Sequence, residues 1–355
     1  MNVPDEELIR RANTEAIYAL YMYIAHKTNP YWGQSFTSII AGLASTLHKK
    51  PWKERNKHRL YILTNAVTAN PVLAESRIVE FTRSRNGMTA CAFRKPTGEF
   101  SVSFRGTGKG EWIDNGEGLS GIPEENTYLF YDANGKAIYK TVAQDYATDQ
   151  QVQALNWFRY ITAKNQLNTS SSIALSGHSK GGNKAQFVTA HSDLVRVCYS
   201  FDGQGFSPEA LVMLQERHGS AYDMRRQRII GISADNDYVN VLGKRLIPEK
   251  NLYFLQSNSG LHYLEAMMDD SGNFRAPCEQ GNLSHYIQTV SDEIMEMPPG
   301  IRQYATLGVM NVLQTFVGKD VPVNGDAVSL EQTIAGLTIA LGPLLRNIRK
   351  TKGAP

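Results

Sequence analysis

Residues 171–185 read SSIALSGHSKGGNKA: an apolar run, a cluster of glycines around one serine, then the start of a helical pattern. A chain that turns this abruptly from strand to helix has no room for Cβ atoms beside the turn. Glycines two residues before and two residues after the serine, Gly177 and Gly181, are therefore steric requirements. The same turn lifts the Ser179 hydroxyl out of a sheet and aims the first free helix amides, that of Lys180 above all, at charge developing on a carbonyl oxygen. A polar residue in a structural bend is the alternative. The choice between them depends on whether the rest of the chain supplies a base, an acid and a second oxyanion donor.

In the chain order of this architecture the acid follows a later strand and the histidine comes later still. Asp237, in SADNDYVNVLG just beyond the strand-like RIIGI, meets the first demand. Asp235 is two residues earlier, and Asp202 closes the preceding strand in YSFDGQGF. Asp202 is read chiefly as a brace for the loop near the serine, bonding backbone amides. Only His262 and His285 follow Asp237. His262 emerges on a loop after NLYFL, whereas His285 falls in the helical pattern NLSHYIQTV, so His262 is the expected base. His178 adjoins the serine and is expected to point away from the base, packing or hydrogen-bonding beneath the turn.

A second oxyanion donor is expected in FSVSFRGTGKGEWID. There a strand ends at Arg105, Gly106 permits close backbone approach, and Thr107 offers both an amide and a hydroxyl. Arg105 is expected to brace the loop and Trp112 to anchor its far side. A phosphate-binding turn is the competing reading, but GTGKGEW lacks the spacing of a Walker or dinucleotide motif.

The surrounding chain alternates in a way that suits an α/β sheet. The first seventy residues are expected to be helical over 6–26, 36–48 and 52–67. RIVEFT, MTACAFR and FSVSFRG then read as adjacent antiparallel edge strands. Residues 138–166 place Ala143, Tyr146, Ala147, Val152, Leu155, Phe158 and Ile161 at intervals of a buried helical stripe, in one helix or two. Strands SSIALSG, VRVCYSF, RIIGISA and NLYFL, with helices near 183–190 and 208–218 between them, predict a mostly parallel central sheet with helices on both faces. Helices are expected again over 301–316 and 329–349. The expected organisation is a helical flanking or cap region at 1–70, a core at 71–285, and a C-terminal helical region at 286–355.

Composition narrows the class. The charge of +3, from 37 basic and 34 acidic side chains over 355 residues, is too small for a nucleic-acid footprint, and the local runs HKKPWKERNKHR and MRRQR read as solvated faces. Cys91, Cys198 and Cys278 lie far apart with no CxxC pair, which argues against a disulfide framework and a thiolate zinc site. No metal or organic cofactor is expected. The first residues lack a signal-peptide pattern, and the apolar segment 333–348 is short for a bilayer span and contains Pro343. A cytoplasmic location is expected, with non-classical secretion left open.

VSFRGTGKGEWID, IALSGHSKGGNKA, YSFDGQGF, ISADNDYVNVL and LHYLEAMMDDSGNF, in that order over 77–274, resemble the bacterial DUF2974, or Mbeg1-like, family of α/β-hydrolases, relatives of the class 3 lipases. The resemblance implies an α/β-hydrolase fold with Ser179 as nucleophile, Asp237 as acid, His262 as base, and Thr107 and Lys180 at the oxyanion hole. It implies cleavage of a small-molecule or lipid carboxylic ester through an acyl-enzyme, with transient membrane contact open and no protein partner indicated. The alternatives are a catalytically silent binding module on the same scaffold, and a phospholipase delivered as an effector.

Overall fold

In a computed structural model of the protein, residues 3–25, 33–47, 52–84, 87–108, 112–259, 262–317 and 342 are described. The chain opens with helices α1 (Glu6–Tyr21), α2 (Phe36–Thr46), α3 (Glu54–Ala69) and α4 (Pro71–Glu75). Strands β1 (Arg77–Arg83), β2 (Thr89–Arg94) and β3 (Phe100–Phe104) follow, then α5 (Trp112–Ser120), β4 (Glu124–Tyr131), β5 (Ala137–Asp145) and α6 (Asp149–Lys164). The central repeat is β6 (Ile173–His178), α7 (Lys180–Ala190), β7 (Val195–Phe201), α8 (Pro208–His218), α9 (Ser220–Arg226), β8 (Ile229–Ala234) and β9 (Leu252–Leu255). A short β10 (Pro277–Cys278) precedes α10 (Asn282–Met295) and α11 (Pro299–Val317).

The main sheet has eight strands in the order β1-β2-β3-β6-β7-β8-β9-β10. β3, β6, β7, β8 and β9 run parallel, while β1 and β2 at one edge and β10 at the other are antiparallel to their neighbours. This is an α/β-hydrolase fold. Its two faces are visible in the side-chain alternation of single strands. Cys91 and Phe93 join a core with α1, α2 and α3, whereas Ala90 and Ala92 join a second core with α6, α7 and α8. Both faces of β3 are buried, and its polar Ser101 finds a partner there, donating from Oγ to Glu15 Oε1 at 2.6 Å.

Aromatic packing fastens the first helical layer to the sheet. Tyr18 stacks on Phe93 with centroids 4.1 Å apart, and Phe36 meets both rings edge-on at 5.7 and 5.6 Å. The Tyr18 hydroxyl is satisfied by Ser76 Oγ at 2.6 Å.

Three expectations change. Residues 138–145 are not helical: they form β5, hairpinned to β4 in a separate two-stranded sheet. The turn explains it, because Asp132 Oδ1 accepts the amides of Asn134 and Lys136 and Gly135 adopts a φ of 75°. Helix begins only at α6, where Thr148 and Gln151 form a capping box. Of the strands expected at an edge, β1 alone lies there, since β3 pairs in parallel with β6. The first helix ends at Tyr21, and the helix expected over 329–349 falls outside the described residues apart from Gly342. Among the described residues no helix is long and apolar enough to cross a membrane.

Phe93→Ala should cost about 3–5 kcal/mol by opening a cavity between α1, α2 and the sheet. A urea midpoint close to that of the unmodified protein would show that the aromatic cluster does not hold this layer.

Candidate active site

Ser179 sits between β6 and α7 with φ 61° and ψ −130°, a backbone conformation that non-glycine residues rarely adopt. The strain is held by neighbours: the Ser179 amide donates to Phe201 O at 2.9 Å and Ser179 O accepts from Asn183 N. A Cβ at Gly177 would collide with the Gly181 carbonyl and lie 2.8 Å from Gly182 N. One at Gly181 would collide with Phe104 O and lie 2.9 Å from the Arg105 carbonyl carbon. Gly182, not singled out in the sequence, is bound by the same constraint, because its Cβ would meet Ser200 Oγ at 2.6 Å.

The loop after β3 closes on this turn. A Cβ at Gly106 would strike the Tyr23 hydroxyl and lie 2.7 Å from His178 O and 3.3 Å from Ser179 Cβ. Close approach at Gly106 thus brings the Thr107 segment beside the serine. Thr107 Oγ1 accepts from Asn115 Nδ2 at 2.9 Å, leaving the hydroxyl proton free to donate elsewhere. Asn115 is fixed in turn by Gln204 Nε2, which donates to its carbonyl at 2.9 Å. Arg105 donates to Gly87 O at 3.4 Å, and Trp112 packs against the small core of α5, α10 and α11.

The Lys180 side chain is fully buried and ion-pairs with Asp114 Oδ2 at 2.6 Å. The carboxylate also accepts from Thr148 Oγ1 at 2.9 Å and from Gln150 N at 3.1 Å. One carboxylate therefore joins α5, the start of α6 and the start of α7. Sequence reasoning assigned a role to the Lys180 amide and missed its ammonium, together with Asp114 and Asn115. Glu117, on the same helix, is pushed up to about 7 by burial and by the neighbouring charges of Asp114 and Glu124.

Asp237 and His262 meet. Asp237 Oδ2 accepts from His262 Nδ1 at 2.5 Å, and its other oxygen accepts the amides of Val239 and Asn240, each at 2.8 Å. The competing carboxylates are engaged elsewhere. Asp235 accepts from Ser257 Oγ at 2.7 Å, and Asp202 Oδ1 accepts from Ala234 N at 2.8 Å. His285 is exposed on α10. His262 Nε2 is buried with no hydrogen-bond partner among the described residues.

His178 departs from its expected orientation. Its ring stacks on that of His262, with centroids 4.6 Å apart and planes at 26°. Its Nδ1 shares a hydrogen bond of 2.5 Å with the Tyr23 hydroxyl, and Nε2 lies 3.4 Å from Asp202 Oδ2. Burial, followed by the charges of His262, Arg59 and Arg55, drives the His178 pKa well below the usual imidazole value. Burial and the charge of Asp237 drive Asp202 well above the usual carboxyl value. Tyr23 carries Arg59 over its ring at 4.3 Å, and Arg55 and Arg59 both pair with Glu265, at 2.6 and 3.0 Å. Among the described residues, His178, Asp202 and His262 form a cluster that could hold a metal ion.

Residues 141–239 match the Mbeg1-like family model. The Mbeg1-like span runs from β5 through the Ser179 turn to Asp237, so the resemblance read from the motifs holds there. No curated protein matches the chain in sequence. Among solved structures, Lip2 lipase from Yarrowia lipolytica aligns at 10% identity over 80% of this chain and 89% of its own, with a TM-score of 0.42. Lipase II from Rhizopus niveus aligns at 11% over 72% and 84%, with 0.40, and a triacylglycerol lipase from Penicillium expansum at 11% over 81% and 97%, with 0.37. Scores of this size describe partial overlap, and the fold assignment rests on the strand order of the chain itself.

Lys180→Met should destabilise the protein by about 3–5 kcal/mol, since it leaves Asp114 without its cation. Adding Asp114→Leu should recover part of the loss, and strict additivity of the two would refute the coupling. Because the folded pKa of Glu117 is raised, its contribution is fully present below about 4.5 and lost as pH rises through about 7. Glu117→Gln should therefore raise the urea midpoint more at pH 8 than at pH 5, and an equal effect at both would contradict the raised pKa.

Proposed function

We propose that the protein is a serine hydrolase that cleaves carboxylic esters, lipase- or esterase-like in its chemistry. The observation that carries this reading is one juxtaposition. A serine is held at φ 61° on a strand-to-helix turn, and the residue before it, His178, stacks on the ring of His262, whose Nδ1 is fixed on a buried carboxylate at 2.5 Å. A structural turn does not need the strained serine.

In this mechanism His262 Nε2 takes the Ser179 proton as Oγ attacks the acyl carbon. The Asp237 carboxylate holds the imidazole in the tautomer whose Nε2 is free and stabilises the imidazolium that forms. The Lys180 amide and the Thr107 amide or hydroxyl receive the oxyanion. Collapse expels the alcohol, protonated by His262, and water resolves the acyl-enzyme by the same steps in reverse roles. Ester substrates of either kind, small soluble esters or acyl lipids, suit this chemistry.

A fluorophosphonate probe should form an adduct on Ser179 of the folded protein, and Ser179→Ala should abolish it. With p-nitrophenyl esters of increasing chain length, Asp237→Asn should lower kcat about 10³–10⁴-fold by favouring the wrong tautomer. Folded protein that forms no adduct and hydrolyses none of the series would point to the binding-module alternative.

A further inference from the structure

We propose that His178, Asp202 and His262 form a zinc-type divalent-cation site beside Ser179, and that a bound ion holds the proposed hydrolase inactive. The inhibitory effect rests on the role given above to His262; the site itself does not.

His178 Nε2, Asp202 Oδ2 and His262 Nε2 are all buried and all without a hydrogen-bond partner among the described residues. Unsatisfied buried polar atoms are rare and call for an explanation. Here three occur in one cluster, whose ligand atoms, one per residue, lie within 4.8 Å of one another. His178 Nε2 and Asp202 Oδ2 face each other at 3.4 Å, and His262 Nε2 completes the cluster.

The opposite end of each group is braced in the manner of a metal ligand. His178 Nδ1 is bonded to the Tyr23 hydroxyl at 2.5 Å, His262 Nδ1 to Asp237 at 2.5 Å, and Asp202 Oδ1 to the Ala234 amide at 2.8 Å. Those contacts leave Nε2 of both imidazoles and one carboxylate oxygen for an ion. Two imidazoles and one carboxylate make a zinc donor set with an open fourth position, and they do not make the all-oxygen cage of Ca²⁺ or Mg²⁺.

The geometry also limits affinity. Tetrahedral zinc places its nitrogen and oxygen ligands about 3.3 Å apart, closer than the 4.8 Å bound of this cluster, and the stacked rings at 26° must turn toward a common point. The ion therefore contracts the cluster, and binding should be reversible, suited to control rather than to structure. Once bound, it occupies the Nε2 lone pair that would accept the Ser179 proton.

The test uses the 355-residue protein freed of metal with EDTA and titrated with Zn²⁺ against a chromophoric chelator. One zinc per chain is expected, weakened at least tenfold in both Asp202→Asn and His178→Gln, retained in Ser179→Ala, and not displaced by Ca²⁺ or Mg²⁺. Co²⁺ should give the visible absorption of a low-symmetry four-coordinate ion. Zinc should suppress fluorophosphonate labelling of Ser179, and EDTA should restore it. Absence of stoichiometric binding, or binding unchanged in both variants when near-ultraviolet circular dichroism shows them folded, overturns the site. Binding with the expected variant effects but undiminished labelling overturns the inhibitory role. Zinc binding by a protein that never labels supports the site and counts against the ester-hydrolase reading instead.

Discussion

The fold depends on a steric exclusion: no Cβ fits at 177, 181 or 182, where β6 ends, α7 begins and the end of β3 crosses beside them. That close approach sets the position of Ser179 and forces its backbone to positive φ. It also determines which loops can face the serine. The parallel neighbours of β6 are β3 on one side and β7 on the other, so their C-terminal ends, carrying Gly106–Thr107 and Asp202, converge on the turn. β8 delivers Asp237 to the same rim. The location of the site follows from strand order in a parallel sheet, where loops at the carboxyl ends share one edge.

Holding a strained turn requires restraint from several directions, and the restraints are polar and buried. Lys180 and Asp114 tie the start of α7 to α5 and α6. On the opposite face, Tyr23 joins the N-terminal helical layer to His178, and Arg59 and Glu265 link that layer to the chain just beyond His262. Such pairs add little net stability compared with apolar packing, but breaking one is costly because a charge is left buried. They serve to specify one arrangement of the layers around the serine.

Much of this was legible in the sequence. The strands of the parallel core could be read because each is a short apolar run bounded by turn residues, and the Ser179 turn because its glycines have a purely local cause. The β4–β5 hairpin was missed because the apolar residues between Ala143 and Ile161 fit a helical stripe, and the deciding signal was the Asp132–Gly135 turn just before it. Asp114 was missed for a different reason: nothing local marks an aspartate on α5 as the partner of a lysine on α7.

The sequence by itself determined that a serine sits on a sharp strand-to-helix turn, that the core is α/β, and that candidate aspartates and histidines stand in suitable chain order. These follow from local sterics and from periodicity, which act between near neighbours. Only the tertiary structure decided that Asp237, not Asp235 or Asp202, holds His262, that His178 stacks on that ring, and that Asp202 joins them. Those outcomes depend on how strands far apart in sequence align their ends, and on which buried lone pairs find partners when they do.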